Sequence, residues 1–212
     1  MKDQDLRFAK LLVLINCAVP ALLLAWDAWH HRLGANPVNF AILTTGMLAL
    51  IFLLLTLLVT PLRKVSGWNW IIFSRRTLGL YAFFYASLHF LIFFGFDRGF
   101  SVGGTVTEMF KRRYLMVGFI GLALMVPLVV TSTNAMIKRL GGKRWRALHR
   151  LVYVSAMAGA LHYYMQTKAD VRQPLVFAAV LAVLLGYRVF EYWQQKRKAV
   201  PVPKTANETQ RR

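Results

Sequence analysis

The stretch Thr77-Leu-Gly-Leu-Tyr-Ala-Phe-Phe-Tyr-Ala-Ser-Leu-His-Phe-Leu-Ile-Phe-Phe-Gly-Phe96 runs for 20 residues without a formal charge and holds one histidine, His89. Crossing the hydrocarbon core of a bilayer takes about 20 mainly apolar residues, so this segment reads as a membrane-spanning helix. An imidazole at that depth is costly, and ionisable residues there usually mark a function.

The same pattern repeats outward from this stretch. Charge-free runs cover Leu33–Leu62, Tyr114–Ile137 and Leu151–Thr167. Leu11–Trp29 is broken only by Asp27, and Gln173–Tyr187 continues past Arg188, which is expected to reach toward the interface. The chain has 212 residues, 57% hydrophobic and 17% charged, too apolar for an ordinary soluble domain. These runs predict an all-α integral membrane protein, a six-helix transmembrane bundle. Its helices are expected near 8–29, 39–60, 77–96, 114–131, 145–166 and 174–193, with Pro61 ending the second and Pro127 kinking the fourth. Residues 1–199 form a single domain in this reading, and 200–212, rich in proline and polar residues, a disordered cytoplasmic tail.

The net charge of +19 raises the question of a nucleic-acid partner. Its distribution answers against one. With the N-terminus inside, the cytoplasmic segments carry 20 Lys or Arg and the opposite loops carry 7. That is the positive-inside pattern, and it predicts both termini in the cytoplasm of a multi-pass protein in contact with anionic lipid. The basic N-terminus followed by an apolar run resembles a secretory leader, but no small-residue cleavage site follows, so a retained first helix is expected. The one cysteine, Cys17, has no internal partner and reads as packing.

Three histidines remain to be explained. On helices entering from the cytoplasm at 1.5 Å per residue, His89 lies about 18 Å along its helix and His162 about 20 Å along its own. Two imidazoles at one level on two helices suit bis-histidine ligation of haem b, with no covalent attachment because no C-x-x-C-H motif is present. The alternative use is hydrogen bonding to a neighbouring helix, which polar residues in bundles commonly do. His149 stands at the inner mouth, about 140° around an ideal helix from His162. The position on helix three matching its depth is Arg76, beside Arg75. Arginine suits haem propionates or a flavin phosphate rather than iron. His30 and His31, in an outer turn, read as solvated, and Met157 or Met165 as an axial ligand is a weaker option. No nucleophile–base set, phosphate-binding loop or dinucleotide fingerprint is present.

The stretches Phe73-Ser-Arg-Arg-Thr-Leu-Gly-Leu80, Ser87-Leu-His89, Thr131-Ser-Thr-Asn-Ala-Met136 and Gly142-Lys-Arg-Trp-Arg-Ala-Leu-His149-Arg-Leu-Val-Tyr153 resemble the MsrQ (YedZ) family, within the wider ferric-reductase-like transmembrane proteins. The resemblance spans nearly the whole chain except the tail. It implies a haem-binding inner-membrane subunit that passes electrons to MsrP, a periplasmic molybdopterin subunit that reduces methionine sulfoxide in oxidised envelope proteins. It also implies the quinone pool or a flavin reductase as donor, FMN as a further cofactor, and His89, His149 and His162 as haem and metal ligands. The catalytic site would then lie on the partner. Against the four-histidine pattern of NADPH oxidases, the position near Arg76 departs, which leaves the second ligand of an inner haem unassigned. A stand-alone ferric-reductase-type cytochrome and a transporter or structural bundle are the competing expectations.

Overall fold

The computed structural model describes residues 3–198, and the tail expectation for 200–212 lies outside them. Every regular element among these residues is helical, in the order α1 (Asp3–Trp29), α2 (Pro37–Ser66), a 3₁₀ turn (Asn69–Phe73), α3 (Ser74–Ile92), a π turn (Phe93–Asp97), α4 (Val102–Lys111), α5 (Arg113–Val130), α6 (Asn134–Leu140), α7 (Gly142–Leu148), α8 (Leu151–Gln166) and α9 (Arg172–Lys198). The main pairings are α2 with α3 and α5 with α8; α9 packs on α8 and α2, α3 meets α5, and α1 lies on α3.

Five of these helices are long and apolar enough to cross a membrane: α1, α2, α3 with its flanking turns, α5 and α9. The sixth expected span, α8, has 16 residues, so its ~24 Å falls short of the ~30 Å core. α5, α9 and α2 pack against one side of it, while Val154, Met157, Leu161 and Tyr164 stay exposed along the other.

Other boundaries also differ from the sequence reading. Pro61 does not end α2; the helix runs on to Ser66 and stops at Gly67, whose φ of 73° is the left-handed conformation that glycine adopts without strain. A proline at 61 removes the N–H that Leu57 C=O would accept. The guanidinium of Arg188 fills that place, donating to the Leu57 carbonyl at 3.0 Å. Arg188 therefore turns inward onto α2 rather than out to the interface. The expected loop 97–113 contains α4, which Ser101 caps by accepting from Gly104 N–H at 3.1 Å. The expected inner loop 138–150 folds largely into α6 and α7, joined at Gly141.

The buried core gathers Leu50, Leu53, Leu57, Ala82, Tyr85, Met125, Ala156, Leu181 and Leu184. At the α5–α8 contact small residues let the backbones close: the Ser155 hydroxyl donates to Gly121 C=O at 2.8 Å. Tyr85, fully buried, ties α1 down at its internal Pro20. Its hydroxyl donates to Cys17 C=O at 2.8 Å and accepts from Ala21 N–H at 3.1 Å, standing between a carbonyl and an amide that normally bond each other in a helix. Long apolar side chains elsewhere, among them Leu22, Phe40, Leu91 and Val183, face outward, as a lipid-facing surface requires.

Candidate functional site

α3 carries His89 and α8 carries His162, and the bundle brings their ring centres to 6.0 Å with planes 83° apart. Each ring is held by the same device. The Nδ1–H of His89 donates to Ile42 C=O of α2 at 2.8 Å, and the Nδ1–H of His162 donates to Tyr114 C=O of α5 at 2.7 Å. A carbonyl only accepts, so the proton of each neutral imidazole sits on Nδ1 and the lone pair on Nε2. That is the tautomer in which metal-ligating histidines are generally held.

Four residues past each carbonyl is a glycine that lets the ring lie against the helix. A Cβ on Gly46 would stand 2.9 Å from His89 Nδ1, and one on Gly118 would stand 2.7 Å from His162 Nδ1. Sequence reasoning missed both glycines and both carbonyls. The glycines interrupt apolar helices where alanine would be the better helix former, which is the one signal available.

The pair fits haem iron. Imidazole nitrogens bind a metal at about 2 Å, so two rings on opposite sides of one iron have centres ~6 Å apart. The 6.0 Å separation, the two free Nε2 atoms and the tethered Nδ1 atoms agree with that geometry.

His149 and Arg75 meet at the opposite end of α8. His149 stacks on Trp145 with ring centres 3.9 Å apart, and Trp145 Nε1–H donates to Thr131 C=O at 2.9 Å. The Thr131 hydroxyl donates to Pro127 C=O at 2.6 Å, so His149 Nε2–H, 3.1 Å away, donates to the hydroxyl oxygen. This leaves Nδ1 as the free nitrogen of His149, the reverse of the other two. Among the described residues no second histidine accompanies it, and no cluster of three or more His, Cys, Asp or Glu side chains is placed to hold a metal ion. Burial, and then the charge of Arg75, push the His149 imidazole below its ordinary value.

His149 and Arg75 line an open cavity of about 530 Å³ with Trp145, Tyr153, Arg150 and Arg188. Its cations, which also include Lys143 and Arg146, meet no lining carboxylate. Arg76 is not part of this wall; it donates to Asn134 Oδ1 at 3.1 Å. Arg188 takes its place, and its buried Nε has no hydrogen-bond partner. His30 is bound to Trp26 C=O at 2.9 Å, away from both sites.

Comparison with known proteins agrees with the helical architecture. Residues 45–160, which include His89 and His149 and end two residues before His162, match the family described as ferric reductase like transmembrane component. A protein of Herminiimonas arsenicoxydans named protein-methionine-sulfoxide reductase heme-binding subunit MsrQ is 48% identical over 196 residues, covering 92% of this chain and 90% of its own. Proteins of the same name from Ralstonia nicotianae and Rhodospirillum rubrum are 47% and 43% identical, each covering 93% of this chain and at least 92% of their own. Apolar helices in this number, the histidine pair between them and similarity over nearly the full length of these relatives lead to one assignment: the chain is a multi-pass membrane protein that belongs to the MsrQ family of ferric reductase like transmembrane components.

Proposed function

We propose that this chain is the haem-binding membrane subunit of a methionine sulfoxide reductase system and carries electrons across the bacterial inner membrane. The observation that carries the reading is the His89–His162 pair, 6.0 Å apart, with each ring's Nδ1 engaged and Nε2 left for iron. The names of the relatives, heme-binding subunits of that system, support it.

Haem b, when bound here, supplies reversible one-electron chemistry. The protein's own part is separable into steps. His89 and His162 are the residues that would hold its iron, through their free Nε2 atoms. Ile42 and Tyr114 fix their tautomer through main-chain carbonyls, which raises the ligands' basicity. The apolar walls of α2, α3, α5 and α8 exclude water, so moving an electron reorganises little solvent.

The inner cavity is the electron-receiving side in this proposal. Arg75 and His149 line it, and the unpartnered Arg188 Nε suits an anionic cofactor group, such as the phosphate of FMN or a haem propionate. Arg76 contributes charge at its margin, and His149 takes part in cofactor binding there. The donor is the quinone pool or a flavin reductase, and the acceptor is MsrP at the periplasmic face. Six spans, with α8 as the short one, put both termini in the cytoplasm. The excess of 20 cationic residues over 7 on the opposite side supports that orientation.

The visible spectrum of the detergent-purified protein tests the core of this reading. A low-spin b-type spectrum that changes on dithionite reduction is expected, and a colourless folded protein refutes it. The alternative, a self-sufficient ferric-reductase-type cytochrome, draws support from the family match. Reoxidation of the reduced protein by ferric ion alone favours that alternative; reoxidation that requires MsrP and methionine sulfoxide favours the relay.

A further inference from the structure

The two histidine seats are copies of one another. In each, a main-chain carbonyl accepts the Nδ1–H, and the residue four positions further on the same helix is glycine: Ile42 and Gly46 on α2, Tyr114 and Gly118 on α5. Residues four apart lie one turn above one another on one helix face. The imidazole thus spans a single turn, with its nitrogen on the carbonyl and its edge over the missing Cβ.

The clearances leave no room for a side chain. A Cβ at 46 would meet His89 Nδ1 at 2.9 Å and Cε1 at 3.0 Å; one at 118 would meet His162 Nδ1 at 2.7 Å, Cε1 at 2.9 Å and Cγ at 3.1 Å. Ordinary contact between such atoms lies near 3.5–4.0 Å, so adding a methyl displaces the ring by roughly half an ångström or more. The helix backbones are locked by their own hydrogen bonds, so the ring yields. It then leaves its carbonyl, and its plane turns.

The planes matter because they are crossed, at 83°. An axial imidazole donates π density into the iron d orbital perpendicular to its plane. Crossed rings raise two d orbitals equally and keep them nearly degenerate, whereas parallel rings split them. Weakening an Nδ1–H bond to a carbonyl also makes the imidazole a poorer donor and favours ferrous iron.

We propose that Gly46 and Gly118 are positioning residues that seat the His89 and His162 imidazoles crosswise, and through that angle and the two carbonyl bonds set the electronic state and potential of the iron they hold. The inference rests on the reading that these histidines ligate haem, and it assigns the glycines a role beyond helix packing. The two seats are not identical. The fully buried Thr45 hydroxyl donates to Ala41 C=O at 2.6 Å and stands 3.1 Å from Ile42 C=O, whereas Val117 occupies the matching place beside Gly118.

The test compares haem-loaded wild type with Gly46→Ala, Gly118→Ala and Gly121→Ala. Gly121 is the control: its Cβ would crowd Ala158 at 3.3 Å at the α5–α8 contact but touch no imidazole. Low-temperature electron paramagnetic resonance of the ferric protein and a potentiometric titration are read together. Wild type and Gly121→Ala are expected to give the single large-g signal of crossed ligands. Gly46→Ala and Gly118→Ala should lose it in favour of a rhombic signal, with a higher midpoint potential, or lose haem while remaining helical and monodisperse. Unchanged signals and potentials in both variants, or an equal change in Gly121→Ala, overturn the proposal. If Gly118→Ala, the tighter site, does not fold, Gly46→Ala decides alone. Absence of low-spin haem from wild type refutes the ligation reading instead, which keeps the two failures distinct.

Discussion

The guanidinium of Arg188 donates to the main-chain carbonyl of Leu57 at 3.0 Å, and that carbonyl is the one Pro61 leaves without its helical partner. A defect in α2 is thereby repaired from α9, 131 residues later in the chain.

That repair makes a double substitution informative. Arg188→Gln orphans a carbonyl in a low-dielectric setting and should cost about 1–3 kcal/mol. Pro61→Ala supplies the missing N–H, so the pair Pro61→Ala, Arg188→Gln should recover part of the loss. Thermal unfolding in detergent measures both; additive losses would contradict the repair.

Tyr85→Phe keeps the ring but removes the hydroxyl that bridges Cys17 C=O and Ala21 N–H. The buried Cys17 carbonyl and the part-buried Ala21 amide then lose that partner beside Pro20, at a cost of about 1–3 kcal/mol. Because the bond joins α1 to α3, faster proteolysis within residues 3–29 is the expected sign, with haem content retained.

Substituting the paired histidines should remove the haem spectrum. His89→Ala and His162→Ala each leave one axial nitrogen, and loss of most haem is expected. His149→Ala should leave that spectrum in place and slow reduction from the donor side. Full occupancy with unchanged spectra in both of the first two variants would sink the ligation scheme.

Removing a cavity cation should act on the donor side alone. Arg75 lines the cavity whereas Arg76 is engaged with Asn134, so Arg75→Gln is expected to lower flavin retention well beyond Arg76→Gln. Equal retention in the two variants, measured by released flavin fluorescence, would remove Arg75 from that site.

Acidification tests His149. Its folded value lies below the ordinary 6.5, so the unfolded chain takes up the proton at a pH where the folded chain still resists it. Stability therefore rises with pH through the window just below 6.5 and falls as pH drops through it. His149→Gln should flatten this part of the melting-temperature profile; an unchanged slope would show that another group titrates there.

Much of this was legible beforehand because hydrophobic runs and depth are one-dimensional quantities. Counting residues along two spans was enough to place His89 and His162 at one level, and the structure sets them 6.0 Å apart. What escaped was what depends on another helix. Pro61 read as a helix end because nothing local shows Arg188 arriving at Leu57. Arg188 read as an interfacial cation because its Tyr153 and Leu57 partners lie on α8 and α2. Arg76 and Arg75 looked equivalent as neighbours, yet adjacent residues point about 100° apart on a helix, and only Arg75 faces the cavity.

Sequence alone determined that the chain is helical and apolar enough for a membrane, and which histidines stand at matching depth, since length, hydropathy and a fixed rise per residue decide those. The tertiary structure decided the rest: which nitrogen of each imidazole is tied, which glycine makes room for the ring, and which arginine faces the inner cavity. Those are matters of rotation about helix axes and of approach between helices remote in sequence. Only packing the bundle determines them.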